Sequence, residues 1–325
     1  MRPTRLAALS LLAAFAATGL TGCASSSAPQ ASRSPPPVPE GRSLPSSVAF
    51  WDGERGLLGA GRCWDCPGGT ISTTDDGGRT WTVRKKTIGP VTWVTTLGER
   101  NAWALAGRAL LQSADGGRSW QAVSKAPLLS IVFTSESEGW GVSESQESAF
   151  ESRLVHTRDG GRDWQKEASP CPRVVGGVRG LSFPTRARGW LLCVGEPGAG
   201  QQQKAVFATR DGGETWTAVS GAIWGNESLA GGLGGYGYPQ GISFVAAGRG
   251  ILWESRGLLF LTRNGARSWI SAEVVEPEID FGRSASVADD RVACVLLERG
   301  SFRLLRSEDG GRTWSVAHRW EPPQT

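Results

Sequence analysis

The chain is poor in the side chains most often recruited for metal binding. Two histidines and two tyrosines occur in 325 residues. His156 and His318 have no ligand-type neighbour at metal-binding spacing, so no metal or cofactor is expected. An excess of one charge is missing too. Loss of Arg2 and Arg5 with a leader would leave 33 basic against 31 acidic groups, and the arginines are spread through the chain, which removes the electrostatic basis for nucleic-acid binding. Helical periodicity is absent throughout. The one apolar run, Leu6 to Leu20, is too short and too rich in alanine for a comfortable transmembrane span.

That run follows Arg2 and Arg5 and leads to small residues and a cysteine, which is the order of a secretory signal. Leu20-Thr21-Gly22-Cys23 resembles the bacterial lipobox. The resemblance implies a lipoprotein signal peptide over 1–22, cleavage before Cys23, and a diacylglycerol thioether on its sulfur. A second, amide-linked acyl chain such as palmitate would make the anchoring stable. The alternative is an ordinary cleaved signal with an incidental cysteine. Residues 23–46 continue as a Ser/Pro/Ala-rich flexible tether with almost nothing to bury. The expected location is extracytoplasmic, lipid-anchored to the cell membrane or outer membrane. Residues 47–325 are long enough for one large domain that buries roughly three quarters of its unfolded surface.

Within that domain one phrase recurs six times: STTDDGGRTW at 72–81, then SADGGRSW, TRDGGRDW, TRDGGETW, TRNGARSW and SEDGGRTW. The closing tryptophans are Trp81, Trp120, Trp164, Trp216, Trp269 and Trp314, spaced by 39, 44, 52, 53 and 45 residues. Such a period points to a propeller or a solenoid. Two short β-rich runs precede each phrase, a third enters it and a fourth leaves it. Four antiparallel strands per unit make a propeller blade. The expected fold is all-β, a six-bladed β-propeller; seven blades are the alternative, with 220–241 as the one place to hide another.

The phrase reads as the turn between strands three and four. Asp76, Asp115, Asp159, Asp211, Asn264 and Asp309 can accept hydrogen bonds from the N–H groups of their own turn. A Ser or Thr two residues earlier can tie the strand end to it. Gly-Gly supplies positive φ, and the tryptophan buries a large ring between sheets. Repeat five carries Asn264-Gly265-Ala266 and is expected to be the most strained or altered turn.

The phrase S/T-x-D-x-G-x-S/T-W resembles the Asp-box, or BNR repeat, of sialidases, some glycoside hydrolases, sortilin-type receptors and photosystem II assembly/stability factors. The element Phe-x5-Gly-Trp (Phe133 to Trp140, Phe183 to Trp190) is most similar to the assembly-factor-like group. That likeness implies a non-enzymatic protein-binding or assembly role; the turn itself is structural wherever it occurs. The sialidase likeness would require an arginine triad, a Tyr–Glu pair and an F/Y-R-I-P stretch. The last is absent, and Tyr236 and Tyr238 share one Gly-rich loop. A glycanase would need two carboxylates across a cleft, and candidates such as Asp52 and Glu54 have the look of solvated turns.

Cysteine pairing is expected outside the cytoplasm. Cys63 and Cys66 read as a local loop-tightening disulfide, Cys171 and Cys193 as a candidate bridge between neighbouring blades, and Cys294 as a small buried residue at the place in blade 6 that Cys193 holds in blade 4. Loop lengths complete the picture. Turns one-to-two and three-to-four are short in every repeat. All variation falls in the other connections, which strand alternation places together on one face around the channel mouth. Loops on a rigid scaffold are where binding tends to sit, so Trp64, Phe150, Trp224, Tyr236 and Tyr238 are candidate binding residues. The expected function is a membrane-anchored propeller that binds an envelope or membrane protein through this face. A carbohydrate-active enzyme or glycan-binding protein is the alternative.

Overall fold

A computed structural model describes residues 44–61, 68–144, 152–172, 175–224, 229, 231–255, 258–272, 281–289, 293–299 and 301–320. Cys23 with the tether, Cys63, Trp64, Cys66 and Phe150 lie outside the described residues, and so does the side chain of Cys294. Twenty-four strands form six antiparallel sheets of four, each contiguous in sequence, and the described residues contain no helix. The molecule is a six-bladed propeller. The 220–241 stretch holds no further blade: the outer strand of blade 4 ends at Ala222 and the inner strand of blade 5 begins at Pro239.

Burial runs outward across each blade. In blade 1 the inner strand Pro45–Phe50 is buried at every residue, whereas the outer strand Thr82–Thr87 is mostly exposed. Inner strands have one edge without a sheet partner, so their N–H groups need other acceptors. Serine hydroxyls of the preceding blade in the ring fill this role. The N–H of Val48 donates to Ser284 Oγ at 3.1 Å and that of Phe50 to Ser286 Oγ at 3.1 Å, which joins blade 6 to blade 1. Val94 does the same toward Ser47, Phe244 toward Ser182, and Val287 toward Ser243.

The core is divided among six seams, each a wedge of apolar side chains from two neighbouring blades. Three consecutive seams use the Phe-x5-Gly-Trp element. Trp103 stacks on Phe133 at 4.0 Å, Trp140 on Phe183 at 5.8 Å, and Trp190 on Phe244 at 4.2 Å. The spacing has a steric reason. Phe133 pairs with Gly139 across the hairpin and covers it; a methyl there would stand 2.8 Å from the ring. The next residue, Trp140, then points to the phenylalanine of the following blade. Blade 6 lacks this signature. Its register pairs Val287 with Ala293 and Ser286 with Cys294, just as Ser182 pairs with Trp190 in blade 4. Cys294 therefore occupies the place of Trp190, not of Cys193.

All six phrases form one kind of turn. In the first, Thr74 Oγ1 accepts the Gly78 N–H and donates to Asp76 Oδ1, while Asp76 accepts the N–H and the hydroxyl of Thr80 at 2.9 and 2.6 Å. Burial raises the Asp76 carboxyl, but these donors outweigh it and hold it at about 2; at Asp115 the Ser119 hydroxyl leads the same effect, also to about 2. The turn tryptophan plugs the seam toward the preceding blade. Four indole N–H groups return to the second glycine's carbonyl, as in Trp81 to Gly78 at 3.0 Å. Trp269 instead donates to Ser220 Oγ, and the Trp216 indole N–H has no partner among the described residues.

Repeat five departs in two ways. Asn264 reverses one bond, its amide donating to Ser268 Oγ at 2.8 Å. Ala266 is held at φ 72°, where the other turns have glycine. A Cβ is disfavoured there by local sterics. Ala266→Gly is expected to raise stability by about 0.5–1 kcal/mol, read as a higher urea midpoint with an unchanged m-value.

Candidate interaction face

Two connections of the variable-loop face are described and meet each other. One runs from Gly195 to Gln203, between strands two and three of blade 4. The other runs from Gly231 to Tyr238 and leads into blade 5. Glycines and a proline keep both out of regular structure; the first closes on itself through Gly198 and Gln201, and the two also bond to one another. The Gln202 N–H donates to Gly235 O at 2.9 Å, the Gly237 N–H to Gly200 O at 3.0 Å, and the Gly200 N–H to the Tyr238 hydroxyl at 3.0 Å. Tyr238 is further held by Ser255: the Ser255 N–H donates to Tyr238 O, and the Tyr238 N–H to Ser255 Oγ.

Beneath this clasp lies a fully buried ion pair. Lys204 opens the third strand of blade 4 (Lys204–Thr209), and Glu254 closes the second strand of blade 5 (Gly250–Glu254). Lys204 Nζ donates to Glu254 Oε1 at 2.5 Å and to the Tyr236 carbonyl at 2.8 Å. Glu254 Oε2 has no hydrogen-bond partner among the described residues. Gly237 packs directly over it at φ 78°, so close that a Cβ would stand 2.1 Å from the oxygen. Burial pushes the Glu254 carboxyl up to about 7, with Lys204 pulling it back down. Burial likewise lowers the Lys204 ammonium, against the pull of Glu254.

Above the pair two aromatic rings stand in water. Tyr236 is 69 % exposed and Trp224 67 % exposed. Their backbones are fixed all the same: Tyr236 bridges to Gln201, and the Trp224 N–H donates to Gln203 Oε1 at 3.2 Å. Tyr238, by contrast, has its hydroxyl engaged within the clasp and serves structure. Thus Trp224 and Tyr236 share one mounting on Gln201–Gln203, which sequence had only placed in a common loop region. Lys204 and Glu254 were missed by sequence reasoning. The one available signal was a charged residue adjoining each strand's apolar run.

The channel offers a different environment. A cavity of about 580 Å³ is lined by inner strands and by the turn residues Trp51, Gly98, Pro184, Ala247 and Asp289. These belong to the short-turn end, so the described cavity opens away from the variable loops. Its described lining is apolar and hydroxylic, with Asp289 as the one carboxylate among the described residues. Asp52 and Glu54 also sit at that end and are engaged. Asp52 binds Arg55 and caps its own turn, and Glu54 meets the buried Arg306 at 3.4 Å. Arg306 also reaches Gly53 O and Glu308 Oε1, tying blade 6 to blade 1. His156 is buried against Trp140, 3.7 Å from Glu138. Desolvation and then Arg158 lower its proton affinity. No group of three potential metal ligands occurs among the described residues. Cys171, after the outer strand of blade 3, is disulfide-bonded to buried Cys193 in blade 4, and so staples that seam.

No protein-family model matches the sequence, and no curated protein matches it significantly. Solved structures do resemble it in fold. YCF48 bound to a D1 peptide shares 19 % identity over 85 % of this chain and 82 % of its own, with a TM-score of 0.50. YCF48 from Cyanidioschyzon merolae shares 19 % identity over 86 % and 87 %, with a TM-score of 0.51. A GH74 xyloglucanase from Xanthomonas campestris shares 12 % identity over 83 % of this chain and 47 % of its own, with a TM-score of 0.55. At these identities the likeness shows the propeller fold alone.

Proposed function

We propose that the protein is a non-enzymatic binding scaffold, held at an extracytoplasmic membrane surface by lipidated Cys23 and the 23–46 tether, and that it grips another protein through the variable-loop face. One observation carries the reading: two large aromatic side chains project into water from loops whose backbones are pinned to rigid blades. Rigid aromatic anchors contribute large contact area at low entropic cost. The fold likeness to a propeller solved with a bound peptide is compatible with such a role. A tether of two dozen residues would let the disc search the space above the membrane.

Site-specific photo-crosslinking in native membranes tests this. A crosslinker at 224 or 236 is expected to give discrete protein adducts. The same group at Val83, an exposed position on the outer strand of blade 1, is expected to give none of them. Identical adduct patterns from all three positions would refute a dedicated face. For the alternative, a glycan panel and a fluorogenic sialoside are expected to show no turnover. Turnover abolished by substitution of one carboxylate would establish the carbohydrate-active enzyme instead.

A further inference from the structure

We propose that Lys204 and Glu254 form a proton-gated latch beneath the 195–203 and 231–238 loops, and that its state sets how firmly Tyr236 and Trp224 are presented. The inference deepens the binding role proposed above and rests on the same face.

The geometry makes the case first. The 195–203 loop is braced within itself by the Gly195–Gln203 and Gly198–Gln201 bonds, whereas the 231–238 loop takes its bonds from that loop and from Lys204, Ser255 and Trp269. From below, the Lys204 ammonium reaches the second loop through the Tyr236 carbonyl. That ammonium is shared with Glu254, whose second oxygen is buried, partnerless and capped by Gly237. A carboxylate in this position has a buried charged oxygen with no donor among the described residues, which is costly. A proton placed on Oε2 removes that charge and leaves Oε1 free to accept from Lys204. Opening the clasp would instead let water reach Oε2. The clasp and the proton are therefore two ways of relieving one strain.

Among the described residues, Lys204 faces Glu254 from blade 4, the phenol-bearing Tyr236 and Tyr238 come from the overlying loop, and the inner strand of blade 6 brings the backbone of Gly282 against the Glu254 carbonyl. Of these described groups, Lys204 is the charge that acts on the carboxyl. The sign follows from linkage. A carboxyl that titrates near 7 when clasped, against 4.5 when solvated, binds its proton more tightly in the clasped state. Acid thus favours the clasp, and the clasp weakens as pH rises through 7.

Hydrogen exchange of the full chain, corrected for intrinsic rates, tests the latch without a partner. The readout is the protection of the Gln202 and Gly237 amides. In the wild type protection is expected to fall about thirtyfold between pH 5.5 and pH 8, with the change confined to these two loops. Glu254→Gln, neutral at every pH, is expected to keep the clasp and give a flat profile. A flat wild-type profile, a change spread over all six blades, or a Gln variant that follows the wild type would each overturn the latch. Should the variant fail to fold, the wild-type profile and its location decide alone. Crosslinking at 224 and 236 is read separately, so loss of the latch and loss of the binding face are distinguishable.

Discussion

Lys204→Met is expected to destabilise the propeller by about 3–5 kcal/mol at pH 8, because it leaves a fully buried carboxylate without its partner. The cost has two origins that can be separated. Glu254 loses the Coulombic attraction and the 2.5 Å hydrogen bond that offset its desolvation. The Tyr236 carbonyl loses its donor as well. The first is relieved by protonation, since an isolated buried acid raises its pKa until it is neutral. Thermal melts of this variant are therefore expected to approach the wild type as pH falls from 8 to 5. The double variant Lys204→Met, Glu254→Leu removes both charges and replaces them with apolar volume. It is expected to lie much closer to the wild type at pH 8, as buried pairs exchanged for apolar groups often do. A double variant as unstable as the single one, with no pH dependence in either, would show that packing and not charge is what the pair contributes.

The two parts of that experiment mirror what the sequence could and could not disclose. The repeated turn is local: its Ser/Thr, its acid and its glycines lie within a few residues, so spacing alone revealed their roles. Blade count followed, because a turn that recurs with four strand-like runs leaves little choice of architecture. Lys204 and Glu254 are fifty residues apart in different blades, and nothing in either neighbourhood names the other. Their meeting depends on the relative rotation of two sheets. The same limit explains Cys294. Blade 6 lacks the phenylalanine and the Gly-Trp step that index the hairpins of blades 3 and 4, so a cysteine was aligned to a cysteine and fell three residues out of register. The end at which the described cavity opens was unreadable for another reason. Loop length marks one face as variable, but channel width is set by side chains on the inner strands, such as Phe50, Thr95 and Phe183.

Phe133→Ala is expected to cost about 3–5 kcal/mol, the range for deleting a large buried ring. Phe133 is 1 % exposed and touches three aromatic or glycine surfaces: Trp103 stacked at 4.0 Å, Trp164 edge-on at 6.0 Å, and Gly139 across the hairpin. Gly139 has no Cβ with which to fill the void, so the site cannot collapse easily, and the cost belongs at the upper end of that range. The effect should also be local in order of opening. Neighbouring blades interact only through their seams, so ring stability is nearly a sum of seam terms. Blades 2 to 5 are joined by three Trp-on-Phe stacks and by the Cys171–Cys193 bridge. The seam between blades 1 and 2 buries only smaller side chains such as Leu57, Ile71 and Val94, with Trp51 and Trp120 half-buried at its margin, whereas that between 5 and 6 buries Trp253 and Trp314 beside Ile251 and Val295. Native-state hydrogen exchange is therefore expected to show the wild-type ring opening first at the seam between blades 1 and 2. Phe133→Ala should move the first opening to the seam between blades 2 and 3. If that seam stays the more protected one after its stacked ring is gone, the aromatic pairs are not what orders the seams.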